Sequence, residues 1–182
     1  MKKIFTLLSL FLLGATSLFA QDAQMAIDYL QEKHLDLGLE FEDVQDLAIS
    51  DDYSSNGLRH VYVAQRYRGI PLFNGQAILH YQGEALVHST TSRLQANLTA
   101  QNLPTAPALS AQNAVRAAVG EVSATFGNPV EVGTEEGTTL FSLIDVSPKP
   151  IRARLVYFPT DEQGVRLAWD VMIDQQGTRS DY

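Results

Sequence analysis

Four histidines, at positions 34, 60, 80 and 88, are the side chains here best suited to bind a metal or move a proton. A zinc site on a helix needs two histidines one turn apart, with a glutamate between them. None of the four has another histidine four residues away. His80 and His88 fall on neighbouring strands of a predicted hairpin, where they would be two ligands at most. The sequence therefore predicts no metal site, and we interpret the pair as polar strand residues.

Nucleophilic and phosphate-binding patterns are also missing from the sequence. Cysteine is absent, which excludes thiolate catalysis, cysteine metal sites and disulfides. No Gly-x-Ser-x-Gly is present, and the glycines between positions 57 and 83 are spaced as turns rather than as a phosphate loop. Paired carboxylates at Asp51-Asp52 and Glu135-Glu136 fall in predicted loops, where acids are usually solvated. We predict no catalytic residue and no cofactor in this chain.

The first twenty residues have the layout of a secretory signal peptide. Lys2 and Lys3 precede an apolar run from Ile4 to Leu13, and small residues lead to Ala20. The apolar stretch is shorter than the ~20 residues that a membrane-spanning helix needs. We therefore expect export, cleavage after residue 20 and a secreted, extracellular protein without a membrane anchor.

The remaining chain is acidic and globular in composition. Of the whole sequence, 45% is hydrophobic and 19% is charged. Without Lys2 and Lys3, 11 basic residues stand against 21 acidic ones, a net charge of -10. No basic cluster is present, so neither a nucleic acid nor an anionic membrane is expected as a partner. About 160 residues suffice for one ordinary domain or two small ones.

Hydrophobic periodicity predicts one helix followed by strands in the first half. The helix covers Asp22 to Leu37, with apolar residues at helical spacing. A short strand is expected from Val44 to Ile49, ending at Ser50-Asp51-Asp52. Turn residues at 54–57, 69–71 and 82–83 then separate three more strands. We place those strands at Leu58–Arg68, Leu72–Tyr81 and Ala85–Leu94.

The same order of elements repeats after a proline-bearing linker at residues 95–109. Ser110 is the expected N-cap of a second helix, which ends near Gly127 and Pro129. Strands are then predicted at Thr138–Val146, Ala153–Phe158 and Val165–Ile173. Segregated helices and strands indicate an α+β fold, made of two small modules with one helix packed on an antiparallel sheet in each, as in cystatins. The modules would cover residues 21–94 and 110–182.

One stretch of the first module carries a more specific pattern. Residues 57–83 read GLRHVYVAQRYRGIPLFNGQAILHYQG, and this segment resembles the fungalysin/thermolysin propeptide domain. The family pattern has a Gly-x-x-His-Val start, a following Gln, a Gly-Ile-x-Val-Phe segment and a turn glycine. Leu72 replaces the valine conservatively. The matching residues are Gly57, His60, Val61, Gln65, Gly69, Ile70, Phe73 and Gly83.

The second module is similar to the next region of fungalysin-type precursors. ALSAQNAVRAAVG resembles the helix of the inhibitory module called PepSY, and RARLVYFPTDEQGVRLAWDVMID resembles the segment after it. The resemblance implies the N-terminal prosegment of a zinc metallopeptidase. Such a prosegment would inhibit its own protease domain and help it fold, and the cognate metalloprotease domain would be its partner. Zinc would belong to that parent domain.

The catalytic His-Glu-x-x-His of such enzymes is absent from this chain. We expect the chain to be a fragment of a longer precursor, with its second module truncated. The alternative is a stand-alone secreted inhibitor or binding module without a catalytic domain.

Six residues of the motif are candidate binding residues, either in contact with the protease or fixing the fold. Gly69 is interpreted as a tight turn, Phe73 as a core residue and Gln65 as a buried amide that satisfies backbone groups. The side chains around the turn at 69 are the better contact candidates, since Arg and Tyr often anchor interfaces. The six are His60, Gln65, Arg66, Tyr67, Arg68 and Phe73.

Overall fold

The computed structural model describes residues 23–123, 125–160 and 164–174. The fold is α+β, as predicted, and the chain divides into two compact units between Gln101 and Asn102. The proposed signal peptide lies outside the described residues. Within the described ranges, no helix combines the length and the hydropathy needed to cross a bilayer.

The first unit combines helices with a four-stranded antiparallel meander in the order β1-β2-β3-β4. Helix α1 occupies residues 23–32 of the described chain, and a single 3-10 turn at Thr99–Gln101 follows the meander. The other elements of this unit are α2 (Phe41–Val44), β1 (Leu47–Ser55), β2 (Leu58–Tyr67), β3 (Ile70–Gln82) and β4 (Ala85–Thr90).

Two-residue turns set the register of this meander. Asn56 and Gly57 have φ values of 54° and 77°, and Arg68 and Gly69 have φ values of 52° and 78°. Positive φ at both central residues is the hairpin geometry that matches the twist of the flanking strands. The sequence predicted both turns, although β1 is longer than expected. It continues through Ser50–Asp52, because a bulge between Ile49 and Asp51 shifts the register and pairing with β2 then resumes. Beyond the bulge the residues of β1 are exposed, so no apolar alternation marks this part of the strand.

The core of the first unit lies between α1 and one face of the sheet. Val61 and Val63 of β2 and Leu79 of β3 are fully buried, as is Leu30 of α1. Alternate residues of a strand point to opposite faces, so His60, Tyr62 and His80 lie on the other side of the sheet. The sheet thus has one apolar face and one polar, partly exposed face.

The second unit has one helix and a second four-stranded antiparallel arrangement, β5-β6-β7-β8. Val115 and Val119 of the helix pack with Phe141 and Ile151 in its core. The Oγ of Ser110 accepts a hydrogen bond from the backbone N–H of Asn113, as the N-cap prediction requires. The elements are α3 (Ala111–Val122), β5 (Val130–Glu135), β6 (Thr138–Ser142), β7 (Ile151–Thr160) and β8 (Gly164–Met172).

Two features of this unit differ from expectation. Strand β5 was not predicted, because its valines are exposed and Gly133 interrupts the alternation. The strand predicted over Thr138–Val146 ends at Ser142, where the chain turns with the N–H of Val146 donating to the carbonyl of Leu143. The apolar residues Leu143, Ile144 and Val146 thus extended the predicted strand beyond its end, where local backbone hydrogen bonding forms a turn instead.

Candidate functional site

The six candidate residues lie on β2, on the turn after it and at the start of β3. His60, Gln65, Arg66 and Tyr67 belong to β2, and Arg68 is the first residue of the turn. Phe73 lies on β3. The topology therefore brings them to one hairpin, but not to one surface, because neighbouring strand residues point to opposite faces.

Gln65 is a fully buried amide that binds backbone groups of two other segments. Its Nε2 donates to the carbonyl oxygens of Asp43 at 2.9 Å and Gln95 at 2.8 Å. Its Oε1 accepts from the backbone N–H of Gln95 at 2.7 Å. The interpretation as a buried amide is confirmed, so this side chain is committed to the fold.

Asp43 is a second buried polar residue, and it was not among the candidates. Its Oδ2 accepts from the backbone N–H groups of Glu40 and Asn97, and its Oδ1 accepts from that of Leu98, each at 2.9 Å. We call this pair of residues the Asp43–Gln65 clasp, because together they hold residues 95–98. The available sequence signal was a Glu40-x-x-Asp43 pattern before a short helix, which forms a capping box here.

A bulge in β3 lies opposite Gln65. Ala64 pairs with Gln76 and Arg66 pairs with Pro71, so residues 72–75 face Gln65 alone on β2. A Cβ on Gly75 would lie 2.6 Å from the Cβ of Leu72. Glycine is therefore required by close approach at this position.

The bulge also corrects the interpretation of Phe73. Leu72 is the buried residue of the pair, whereas Phe73 is half-buried. The motif's aromatic residue is therefore not a core residue of the first unit. The strand alternation alone did not reveal this, because the bulge changes which side chains point inward.

The turn after β2 is held by Asp46. One carboxylate oxygen lies 2.7 Å from a terminal nitrogen of Arg66, and the other accepts from the backbone N–H of Gly69 at 2.7 Å. Tyr67 points inward with 3% of its surface exposed. Arg68 is exposed, and its guanidinium lies 5.0 Å from the centre of the Tyr67 ring. Arg66 and Arg68 thus present positive charge at this turn, and the buried Tyr67 ring packs against the guanidinium of Arg68.

Three histidines form a line across the polar face of the first unit, which we call the histidine row. His60 of β2 is the direct cross-strand partner of His80 of β3, and His80 is the partner of His88 of β4. The Nδ1 atoms of His60 and His80 are 2.7 Å apart, and the ring centres of His80 and His88 are 5.5 Å apart. The prediction that His80 and His88 lie on neighbouring strands of a hairpin is confirmed. The place of His60 was missed because it depends on the β2–β3 register.

His80, the middle residue of the row, has a lowered pKa. Burial, followed by the neighbouring rings of His60 and His88, lowers the pKa of His80 below its ordinary value of 6.5. Both causes disfavour a positive charge at this position. In the part of the chain that the structure describes, no group of three metal-ligating side chains is arranged to hold an ion.

An open apolar groove of about 850 Å³ lies in the second unit, between α3, β8 and the segment before α3. Ala114 and Ala118 form its helical side, and Leu167 and Trp169 form its strand side. The indole N–H of Trp169 donates to the carbonyl of Leu109 at 2.9 Å and so fixes the preceding segment beside the strand.

Comparison with protein families supports the assignment of the first unit. Residues 45–88 match the family described as Fungalysin/Thermolysin Propeptide Motif. No curated protein matches the chain. The matched range runs from just before β1 to within β4, so it includes the Arg68–Gly69 turn, the bulge and the histidine row. The chain therefore carries a propeptide motif of the thermolysin and fungalysin class of metallopeptidases.

Proposed function

We propose that this chain is the secreted propeptide region of a fungalysin-type zinc metalloendopeptidase precursor, in which it inhibits the protease domain and assists its folding. The observation that carries the proposal is the match at residues 45–88, which coincides with the β1–β4 meander. A propeptide motif implies association with a cognate protease domain. Zinc would be held by that domain, and residues 1–20 would direct export.

The domain organisation belongs to the same proposal. The first unit corresponds to the propeptide motif, and the second unit would be a PepSY-like module. One helix packed on an antiparallel sheet supports that identification, as does the sequence likeness over the helix and the last two strands. The residues first assigned to a linker, 95–109, begin with a segment that the Asp43–Gln65 clasp holds to the first unit.

Inhibition would be non-covalent and would depend on complementary surfaces. The described residues of the first unit present two exposed or half-exposed arginines at one turn, and Asp46 and Tyr67 hold that turn in shape. Arginine next to tyrosine is a common composition of interface anchors. We propose Arg66 and Arg68 as contacts with the protease domain, because Gln65 and Tyr67 are buried, whereas the Arg66 side chain is 41% exposed and Arg68 is exposed.

The first experiment reads the gene beyond residue 182 and then tests folding in trans. Continuation into a domain with His-Glu-x-x-His is expected, and that domain, denatured and diluted, should recover more peptidase activity when the chain is present. A stop codon directly after Tyr182 would favour a stand-alone binding module, and an adjoining His-Glu-x-x-His domain that recovers no more activity with the chain than without it would overturn the proposed folding role.

The contact residues are tested by charge reversal. Arg68→Glu should weaken binding to the protease domain by roughly tenfold, because an interfacial charge is inverted. Arg93→Glu is the matched control, since Arg93 is also exposed in the first unit but belongs to the turn after β4 rather than to the β2–β3 hairpin. Calorimetric titration of both variants measures the effect. Equal affinities for the two variants would exclude Arg68 as a contact.

A further inference from the structure

The histidine row joins three of the four strands of the propeptide motif. Consecutive members are direct cross-strand partners, with ring centres 4.8 Å apart for His60 and His80 and 5.5 Å apart for His80 and His88. Tyr53 of β1 continues the line, because it pairs with His60 and its ring centre is 5.0 Å away. A change in the charge of these rings therefore acts on the β2–β3 and β3–β4 pairings, and the row touches β1 through Tyr53.

The contact between His60 and His80 permits only limited protonation. Two Nδ1 atoms 2.7 Å apart must share one hydrogen, so one ring donates and the other accepts. The pair can be neutral or can carry one proton, but a second proton would place two donors against each other. A charge on His88 would then lie beside the same pair.

The surroundings of the row offer little compensation for added positive charge. On the same face, Asp51 and Tyr53 lie on β1 and Tyr62 lies on β2; the two tyrosine hydroxyls are 3.2 Å apart. On β4, the Oγ1 of Thr90 is 3.4 Å from the Nε2 of His88. Asp51 is the cross-strand partner of Tyr62 rather than of a histidine. Among the described residues, none of the three histidines forms an ion pair with a carboxylate.

We propose that the histidine row is a proton-operated switch that loosens the propeptide motif on mild acidification. Resting on the proposed function, this gives the precursor a way to release its protease domain when it enters an acidic compartment or medium. Neutral imidazoles keep the β2–β3–β4 face together. A second proton on the His60–His80 pair, or charges on both His80 and His88, places like charges on adjacent strands, with ring centres 4.8 Å and 5.5 Å apart, and weakens their pairing.

The direction of the pH dependence is set by the pKa of His80. Because the folded state lowers this pKa below 6.5, the unfolded chain takes up the proton first as the pH falls. The stability contributed by neutral His80 is fully present well above pH 6.5, the ordinary pKa of the unfolded chain. It decreases as the pH drops below that value and through the lower pKa of the folded state.

Urea unfolding of the purified chain between about pH 5.5 and 7.5 tests the switch, because this is the range in which histidine titrates. The unfolding midpoint of the wild type should fall on acidification, and His80→Gln should remove most of that fall. His34→Gln is the matched control, since His34 lies in the same unit and binds the carbonyl of Gln31 outside the row. Should His80→Gln fail to fold, His88→Gln on the exposed edge of the row is expected to reduce the pH dependence partially.

Binding to the protease domain separates this inference from the proposed function. With an inactivated cognate domain, the wild-type chain should lose affinity by about tenfold at the acidic end, and His80→Gln should lose much less. If the two row variants show the same pH dependence as the wild type, both in unfolding and in binding, the switch is overturned. The proposed function would remain intact. Absence of binding at every pH would instead contradict the proposed function, and the unfolding series would still decide whether the row responds to protons.

Discussion

Two side chains in the interior of the first unit, Gln65 and Asp43, are polar although their positions are fully buried. Each of them bonds to backbone groups of residues 95–98. A buried polar group costs stability when its partner is lost, so releasing residues 95–98 from the clasp would be unfavourable. It holds the segment after β4 against the meander, and it does so with groups that a partner protein cannot reach.

Replacing the buried amide should be costly. Gln65→Leu keeps the approximate volume but leaves the carbonyls of Asp43 and Gln95 and the N–H of Gln95 without their partner. We expect a loss of about 3 kcal/mol in the free energy of unfolding. Gln82→Leu, at an exposed end of β3, should change it by less than about 0.5 kcal/mol. Urea titration of both variants measures the difference, and equal losses would show that the clasp contributes nothing specific.

The glycine in the β3 bulge makes a second prediction. Gly75→Ala should cost about 1–3 kcal/mol, because the new Cβ would meet the Cβ of Leu72 at 2.6 Å in a packed region. Gly133→Ala is the control, since a Cβ there meets nothing within 4 Å. Thermal unfolding followed by circular dichroism distinguishes them. A Gly75→Ala variant as stable as Gly133→Ala would mean that the bulge relaxes without cost.

Elements of the two units follow the same plan, and the positive-φ pair Glu136–Gly137 closes the β5–β6 hairpin as such pairs do in the first unit, whereas the helices begin with different caps. In the first unit, paired residues with positive φ close the β1–β2 and β2–β3 hairpins, and the Asp43 carboxylate accepts from the backbone N–H of Glu40 at the start of α2. In the second unit, α3 begins at a serine cap and ends when the N–H of Ser123 binds the carbonyl of Val119. Its last valine, Val122, is 45% exposed, so the apolar stripe of this helix stops before its end.

The cap of α3 can be tested by itself. Ser110→Ala removes the acceptor for the N–H of Asn113 and should lower the free energy of unfolding by about 1 kcal/mol. Ser92→Ala changes an exposed serine in a turn of the first unit and should have little effect. Chemical denaturation monitored by Trp169 fluorescence reports on the second unit directly. No difference between the two variants would contradict the importance of the cap.

Across the whole molecule, the sequence predicted what depends on local pattern and missed what depends on register. The alternation of Val61 and Val63, the Asn56-Gly57 turn and the Ser110 cap each have a signal within a few residues, and each is present. The meeting of His60 with His80 and the burial of Asp43 against Leu98 join residues 20 and 55 positions apart. No local periodicity encodes such contacts.

The same distinction applies to the candidate site. The motif identified the correct hairpin, but it did not separate buried residues such as Gln65 and Tyr67 from the exposed Arg68. Burial in this hairpin depends on a bulge that shifts the alternation. We therefore limit the proposed contact surface to Arg66 and Arg68 at the turn.

Inhibition in trans tests the central proposal most directly. The purified chain is titrated against the mature peptidase domain that we propose as its partner, and initial rates of peptide cleavage are recorded near neutral pH. We predict that activity falls with added chain and reaches a saturating minimum at micromolar concentrations or below, as for a specific interface of ordinary size, about 8 kcal/mol of binding free energy. Thermally unfolded chain should not inhibit. Full activity at all concentrations of the folded chain would contradict the account.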